Sequence, residues 1–246
     1  MEDILDNLNE SQRTAVEWCD GPQLVIAGAG SGKTRVLTYK IAYLLRKGLA
    51  PWNILALTFT NKAAREMKER IANLVGTDRA RGLHMGTFHS VFRSILKASS
   101  VQRMSILDNS RSRTLLSSLV ERYYGRLPQS EELTDLSALI AKAKAAGEIP
   151  DQKRFQRLLE DYETYLKENS LLDFEDMIGR CLKLLRRNPE LLSSWQKRYR
   201  YFLIDEFQDI NREQFEGIQL LAGAAANLFV VGDDDQSIYR FRGADV

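Results

Sequence analysis

Long apolar runs are missing from this chain. No stretch approaches the ~20 residues that a helix needs to cross a bilayer, so no membrane-spanning role is expected. Thiols are scarce as well. Cys19 and Cys181 lie too far apart to form a metal-ligand spacing and are too few for a disulfide framework. Free thiols in a reducing compartment are the expectation. The start, Met1-Glu2-Asp3-Ile4-Leu5-Asp6, is acidic where a secretory leader would be basic, so a cytoplasmic location is expected. Neither an internal repeat nor a low-complexity tract interrupts the text. The net charge of +2 is too small to argue for a nucleic-acid partner.

The 246 residues suffice for one large or two modest domains, and 44% hydrophobic with 28% charged residues is ordinary for a globular protein. Charge is uneven along the chain. From Arg79 to Arg126 nine basic residues face only Asp108 and Glu121, and from Lys183 to Arg200 six face only Glu190. Such stripes can neutralise phosphates, or can be solvated helix faces. Short apolar runs at Leu24–Ala27, Ile54–Leu57, Tyr201–Ile204 and Leu228–Val231, with a weaker one at Leu83–Thr87, read as buried parallel strands. Helical patterns at Thr34–Lys47 and Lys62–Val75 lie between them, which points to βαβ units and a sheet covered on both faces. From about Ser110 to Asn188 the pattern is helical throughout. Leu115, Leu116, Leu119 and Val120 share a face, as do Leu158, Leu159, Tyr162 and Leu166. The layout predicted is an α/β frame at 1–109 and 190–246 with an all-helical subdomain inserted at 110–189.

Ala27-Gly28-Ala29-Gly30-Ser31-Gly32-Lys33-Thr34-Arg35 follows a strand and opens a helix. Glycines let the backbone N–H groups turn around a phosphate, and the helix N-terminus adds its positive end. Lys33 can reach the β- and γ-phosphates of a nucleotide, and the Thr34 hydroxyl can ligate Mg²⁺. Nucleotide contacts are therefore expected from Gly28, Ala29, Gly30, Ser31, Gly32, Lys33, Thr34 and Arg35. Leu203-Ile204-Asp205-Glu206 supplies the complement. A strand would deliver Asp205 to the sheet edge as a second Mg²⁺ ligand, and Glu206 is suited to polarise the attacking water as a general base. A small-molecule kinase would not need the second carboxylate.

Further segments resemble a known family. Leu8-Asn9-Glu10-Ser11-Gln12 is similar to the adenine-recognition segment of superfamily 1 helicases. Thr58-Phe59-Thr60-Asn61-Lys62 and Thr87-Phe88-His89-Ser90 resemble its strand-contacting motifs, and Asp205-Glu206-Phe207-Gln208-Asp209 its acidic motif. Gly232-Asp233-Asp234-Asp235-Gln236-Ser237-Ile238-Tyr239-Arg240-Phe241 resembles its coupling motif. The ordered set resembles the UvrD/Rep/PcrA group.

The resemblance implies a P-loop NTPase, RecA-like fold with a parallel sheet flanked by helices, and an ATP-dependent 3′–5′ DNA helicase. It implies that Gln12 reads adenine, whose N6/N7 edge an amide can match with a donor and an acceptor. It also implies Gln236 as the γ-phosphate sensor, catalytic with Lys33, Asp205 and Glu206. Phe59, Thr60, Asn61, Thr87, Phe88, His89, Tyr239 and Phe241 would lie on the DNA. The expected cofactors are ATP and Mg²⁺, and the partners single-stranded and junction DNA. A second RecA-like domain is expected beyond Val246, so the chain alone is expected to be monomeric, to bind ATP–Mg²⁺ weakly and not to unwind DNA. A protein-displacing translocase and the helicase arm of a helicase–nuclease share these motifs.

Overall fold

The structure, a computed structural model, describes residues 4–28, 30–99, 105–146, 150, 152–174, 176–224 and 227–233, with the backbone alone at 145 and 146. The chain divides into two compact units, Met1–Val91 with Leu182–Val246, and Phe92–Cys181. The sequence reading draws these borders at 109/110 and 189/190. In chain order come α1 (Glu10–Glu17), β1 (Gln23–Ile26), α2 (Lys33–Arg46), β2 (Ile54–Thr58), α3 (Asn61–Val75), α4 (Thr77–Ala80), β3 (His84–Thr87) and α5 (Phe88–Ala98). Then follow β4 (Ser105–Ile106), α6 (Asn109–Tyr124), α7 (Ser130–Ala146), α8 (Lys153–Glu168), β5 (Leu171–Leu172) and α9 (Asp176–Arg187). The chain closes with α10 (Pro189–Arg198), β6 (Tyr201–Ile204), α11 (Arg212–Ala222) and β7 (Asn227–Gly232).

The first unit is built on a five-stranded sheet in the order β1-β7-β6-β2-β3, parallel throughout. β2 is buried at all of its residues, as an unbroken apolar run covered on both faces should be. On one face Val36, Leu37 and Ile41 of α2 pack with Met67 and Ile71 of α3 against Ile54, Ala56, Leu203, Phe229 and Val231. One expectation needs correction. β1 is an edge strand, and its Leu24 and Ile26 are 58% exposed rather than buried. The run looked like its neighbours because apolar content does not reveal strand order.

The register places every strand's C-terminal end at one edge. Ile26 pairs with Gly232, Ile204 with Val230, Leu57 with Ile204 and Thr58 with Thr87. In a parallel α/β sheet, that edge is where ligands bind.

The second unit is a helical body with one short parallel pair, β4 with β5. Asp108 caps α6 through the Arg111 N–H, and Gly125 ends it in the left-handed region at φ 70°, which a glycine enters without strain. Its core is formed by the faces read from the sequence: Leu115, Leu116, Leu119 and Val120 of α6 against Leu158, Leu159, Tyr162 and Leu166 of α8. Beside Tyr162 lies a buried charge cluster. Lys144 Nζ donates to Asp173 Oδ2 at 2.7 Å and to Asp176 Oδ2 at 2.6 Å. The Tyr162 hydroxyl donates to the same oxygen of Asp173. Among the described residues, no helix is long and apolar enough to cross a membrane.

Candidate active site

The loop after β1 turns sharply at Gly30 (φ 74°) and Gly32 (φ 86°), both in the left-handed region. At Gly32 the backbone conformation is what favours glycine; a Cβ there would also stand 2.9 Å from Gln12 Nε2, the movable end of a flexible side chain. α2 begins at Lys33, so its first N–H groups face the loop. Lys33 is buried. Its Nζ donates to the carbonyls of Ala27 (2.8 Å) and Gly28 (3.1 Å) and to Asp233 Oδ2 (2.8 Å). The next residue reaches one strand further along the edge, and the Thr34 hydroxyl donates to Asp205 Oδ2 at 3.2 Å. The loop after β1 and the acids after β6 therefore meet, although β7 runs between the two strands.

Asp205 is buried, and burial, then the Glu206 carboxylate beside it, pushes its carboxyl up to about 6. The Thr34 hydroxyl and the Lys33 charge pull the other way. Glu206 holds a left-handed backbone (φ 51°, ψ 53°), which is uncommon for a residue with a side chain and is a form of strain found at functional sites. This turn ends β6 and starts a short 3₁₀ segment, Phe207–Asp209. Asp209 is raised by burial and then by Glu206, and its Oδ1 is buried with no hydrogen-bond partner. Among the described residues it is the one buried side-chain oxygen or nitrogen so left, and such orphans are rare in folded proteins.

A nucleotide with Mg²⁺ fits this donor set. Thr34 Oγ1 and the Asp205 carboxylate are the hydroxyl and acid that would hold the metal, and a cation there would keep Asp205 ionised. Among the described residues no three His, Cys, Asp or Glu side chains gather as a metal cage.

The other expected residues divide by position. Gln12 lies against the loop, its Nε2 donating to the Ser31 carbonyl at 2.9 Å while its Oε1 accepts the Asn9 N–H in a capping box. One N–H and one lone pair of the amide are thus engaged within the chain. Arg35 turns away from the loop: its guanidinium donates to the Asn7 carbonyl and sits over the Tyr39 ring. Phe59, Thr60 and Asn61 follow β2 at the same edge; Thr60 caps α3 through the Ala63 N–H, and Asn61 is exposed. Thr87 ends β3 and accepts the Ser90 N–H, and His89 is half-buried. Phe88 is only 3% exposed, so its ring belongs to the packed interior rather than to a face open to a base. Ala29, Asp234, Gln236, Tyr239 and Phe241 lie outside the described residues.

Two residues of this edge carry no role in the sequence reading. Asp233 is the acid that Lys33 grips, and Gln208 stands between Glu206 and β7. A signal for Asp233 exists in the sequence, since it follows an apolar strand just as Asp205 does.

The profile of the UvrD/REP helicase N-terminal domain family matches residues 8–246. The chain belongs to that family. Among curated relatives, the ATP-dependent DNA helicase PcrA of Bacillus subtilis (strain 168) is 41% identical over 99% of this chain and 35% of its own length. PcrA of Staphylococcus aureus (strain Mu50 / ATCC 700699) is 40% identical over 100% of the chain and 36% of its own length. The ATP-dependent DNA helicase Rep of Escherichia coli (strain K12) is 43% identical over 96% of the chain and 37% of its own length. The chain thus spans about a third of the length of these UvrD/REP relatives.

Proposed function

We propose that this chain is the nucleotide-binding part of an ATP-dependent DNA helicase of the UvrD/Rep type, acting in the cytoplasm. On this reading the α/β unit is the first RecA-like domain, and the helical unit is its inserted subdomain. The observation that carries the proposal is the meeting of Lys33, Thr34, Asp205 and Glu206 at one sheet edge. Lys33 leaves Asp233 and takes the β- and γ-phosphates, exchanging one negative partner for another. Thr34 and Asp205 hold the metal side of the nucleotide, and bound Mg²⁺ supplies charge neutralisation at the phosphates. Glu206, presented by its left-handed turn, orients the attacking water and takes its proton. Gln12 is released from Ser31 to pair with the adenine edge. Phe59, Thr60, Asn61, Thr87 and His89 form the DNA side, with Tyr239 and Phe241 joining them as stacking rings and Gln236 sensing the γ-phosphate.

A fluorescent ATP analogue titrated into this chain with Mg²⁺ tests the nucleotide site. Saturable binding that Lys33→Ala removes supports it, whereas equal binding by the variant overturns it. Duplexes carrying a 3′ or a 5′ single-stranded tail, given to the full-length protein with ATP, test the direction. Unwinding of the 3′-tailed substrate alone is expected, and preference for the 5′ tail refutes the assigned polarity.

A further inference from the structure

At the sheet edge one buried amide joins two strand ends. Gln208 Nε2 donates to Glu206 Oε2 at 2.7 Å, while Gln208 Oε1 accepts the backbone N–H of Asp233 at 2.9 Å. Gln208 and Asp233 are both buried, so water does not compete for these bonds as it does at the surface. The fit around the amide is close. A Cβ on Gly232 would stand 3.1 Å from Gln208 Oε1 and 3.4 Å from Phe207 Cβ, so this glycine leaves room for the side chain to lie across the end of β7. Because the other end of Asp233 grips Lys33 at 2.8 Å, the contacts run without a gap from Lys33 through Asp233 and Gln208 to Glu206.

We infer that Gln208 is a positioning residue: its amide holds the Glu206 carboxylate in place and ties that placement to the end of β7. The argument rests on Glu206 being the base of ATP hydrolysis. A glutamate side chain on a left-handed turn has several rotamers open to it, and a single charge-assisted bond selects one. The same amide reads the position of the residue 233 peptide. When Lys33 releases Asp233 for a nucleotide, the peptide at 233 loses one of its anchors, and Gln208 carries that change to Glu206. Gln208 acts through Glu206 and itself touches no substrate.

The test uses the full-length protein with single-stranded DNA, comparing Gln208→Ala and Gln208→Glu with wild type and with Glu206→Gln. Gln208→Glu keeps the side chain's shape while replacing the donor, so the test stands even if the alanine variant is poorly folded. We expect kcat for ATP to fall about 10- to 100-fold in both variants, as for removal of a group that orients a catalytic residue, with KM for ATP within about twofold of wild type. The bonds lost inside the protein also lower the melting temperature by about a few degrees. Wild-type kcat in either folded variant overturns the inference. A rise in KM as large as the fall in kcat also overturns it, because it describes a residue that shapes the nucleotide site as a whole. Glu206→Gln separates the two levels. If it alone turns over ATP normally, the assignment of the base has failed; if it is inactive while the Gln208 variants are normal, only the positioning role has failed.

Discussion

Lys144 in the helical unit and Lys33 in the α/β unit are both buried against carboxylates. In each place burial and a neighbouring acid raise one carboxyl, Asp176 beside Asp173 and Asp205 beside Glu206. The surroundings differ in how the remaining groups are paired. Burial alone would lower the Lys144 pKa, yet Asp173 and then Asp176 more than offset it, and the ammonium is held above its ordinary value. Asp173 in turn accepts from Tyr162 and from the N–H of Asp176, the first residue of α9. The cluster fastens α7 to α8 and to the start of α9. Around Lys33 the groups are left with work to do. Asp205 is pushed up to about 6 by burial and by Glu206, Glu206 stands in a strained backbone, and Asp209 keeps an unpartnered buried oxygen. A buried charge whose neighbours satisfy one another fastens a fold. One at a strand edge, beside a glutamate in a left-handed turn and an aspartate with an orphaned buried oxygen, is a candidate site.

The comparison can be tested by separating rate from stability. The largest effect is expected for Glu206→Gln in the full-length protein: ATP turnover should fall by about 10²–10⁴, the share of a general base, with nucleotide affinity retained. A turnover unchanged within a factor of two, measured in steady state with single-stranded DNA, would show the strained turn to be merely structural. In the helical unit Lys144→Met should instead cost stability, about 3–5 kcal/mol, because it leaves Asp173 buried without its cation. Urea unfolding followed by circular dichroism would measure that cost. Loss of analogue binding in the still-folded variant would break the distinction between fastener and site.

A third lysine sharpens the argument. Lys40 of α2 is buried with its Nζ on the carbonyls of Val16 (3.0 Å) and Ala15 (3.4 Å), and also on that of Trp18, closing the C-terminal end of α1. With no carboxylate on it, burial brings its pKa down to about 8 from 10.5, only partly opposed by the charges of Cys19 and Asp20. Lys40→Met should cost about 1–3 kcal/mol by orphaning those carbonyls. Between pH of about 8 and 10.5 the unfolded chain holds a proton that the folded chain has shed, so this lysine makes unfolding harder as pH rises. The stability gap between wild type and Lys40→Met should therefore widen across that window, and a gap that narrows would reverse the assigned cause. The smallest effect belongs to Arg122, paired with Asp161 at 2.9 Å on the surface of the helical unit, with side chains 67% and 37% exposed. Arg122→Ala should change the unfolding free energy by only about 0–1 kcal/mol. A larger loss would mean that exposure is a poor guide to which ion pairs fasten this unit.

Much of the frame was legible beforehand because its signals are local. The five strands of the main sheet fall on the runs read as strands, β3 on the weakest of them, and the α6 and α8 faces follow from helical spacing. The two-residue strands β4 and β5 escape the reading, which makes the middle helical throughout. Within the acidic segment Asp205 and Glu206 stood out as charges at the end of an apolar strand. Gln208, two residues on, did not, because an uncharged amide in a short 3₁₀ segment has no pattern of its own. Phe88 was placed on the DNA by its motif, yet it lies at the start of a helix with its ring packed inward. Local text tells whether a residue is apolar, and not which side of the chain the neighbouring elements will cover.

By itself the sequence determined the strand–loop–helix at 23–46, the acid-bearing strand at 201–206 and the helical character of the middle. Each is encoded within a few consecutive turns, by glycine placement or by the period of apolar side chains. Tertiary structure alone decided that β7 enters between β1 and β6, that Lys33 grips Asp233 rather than Asp205, and that β1 is left at the edge. These outcomes depend on which strands pair across crossovers of up to two hundred residues. The pairing is settled by how all the helices and strands bury their faces together, and no single segment carries that information.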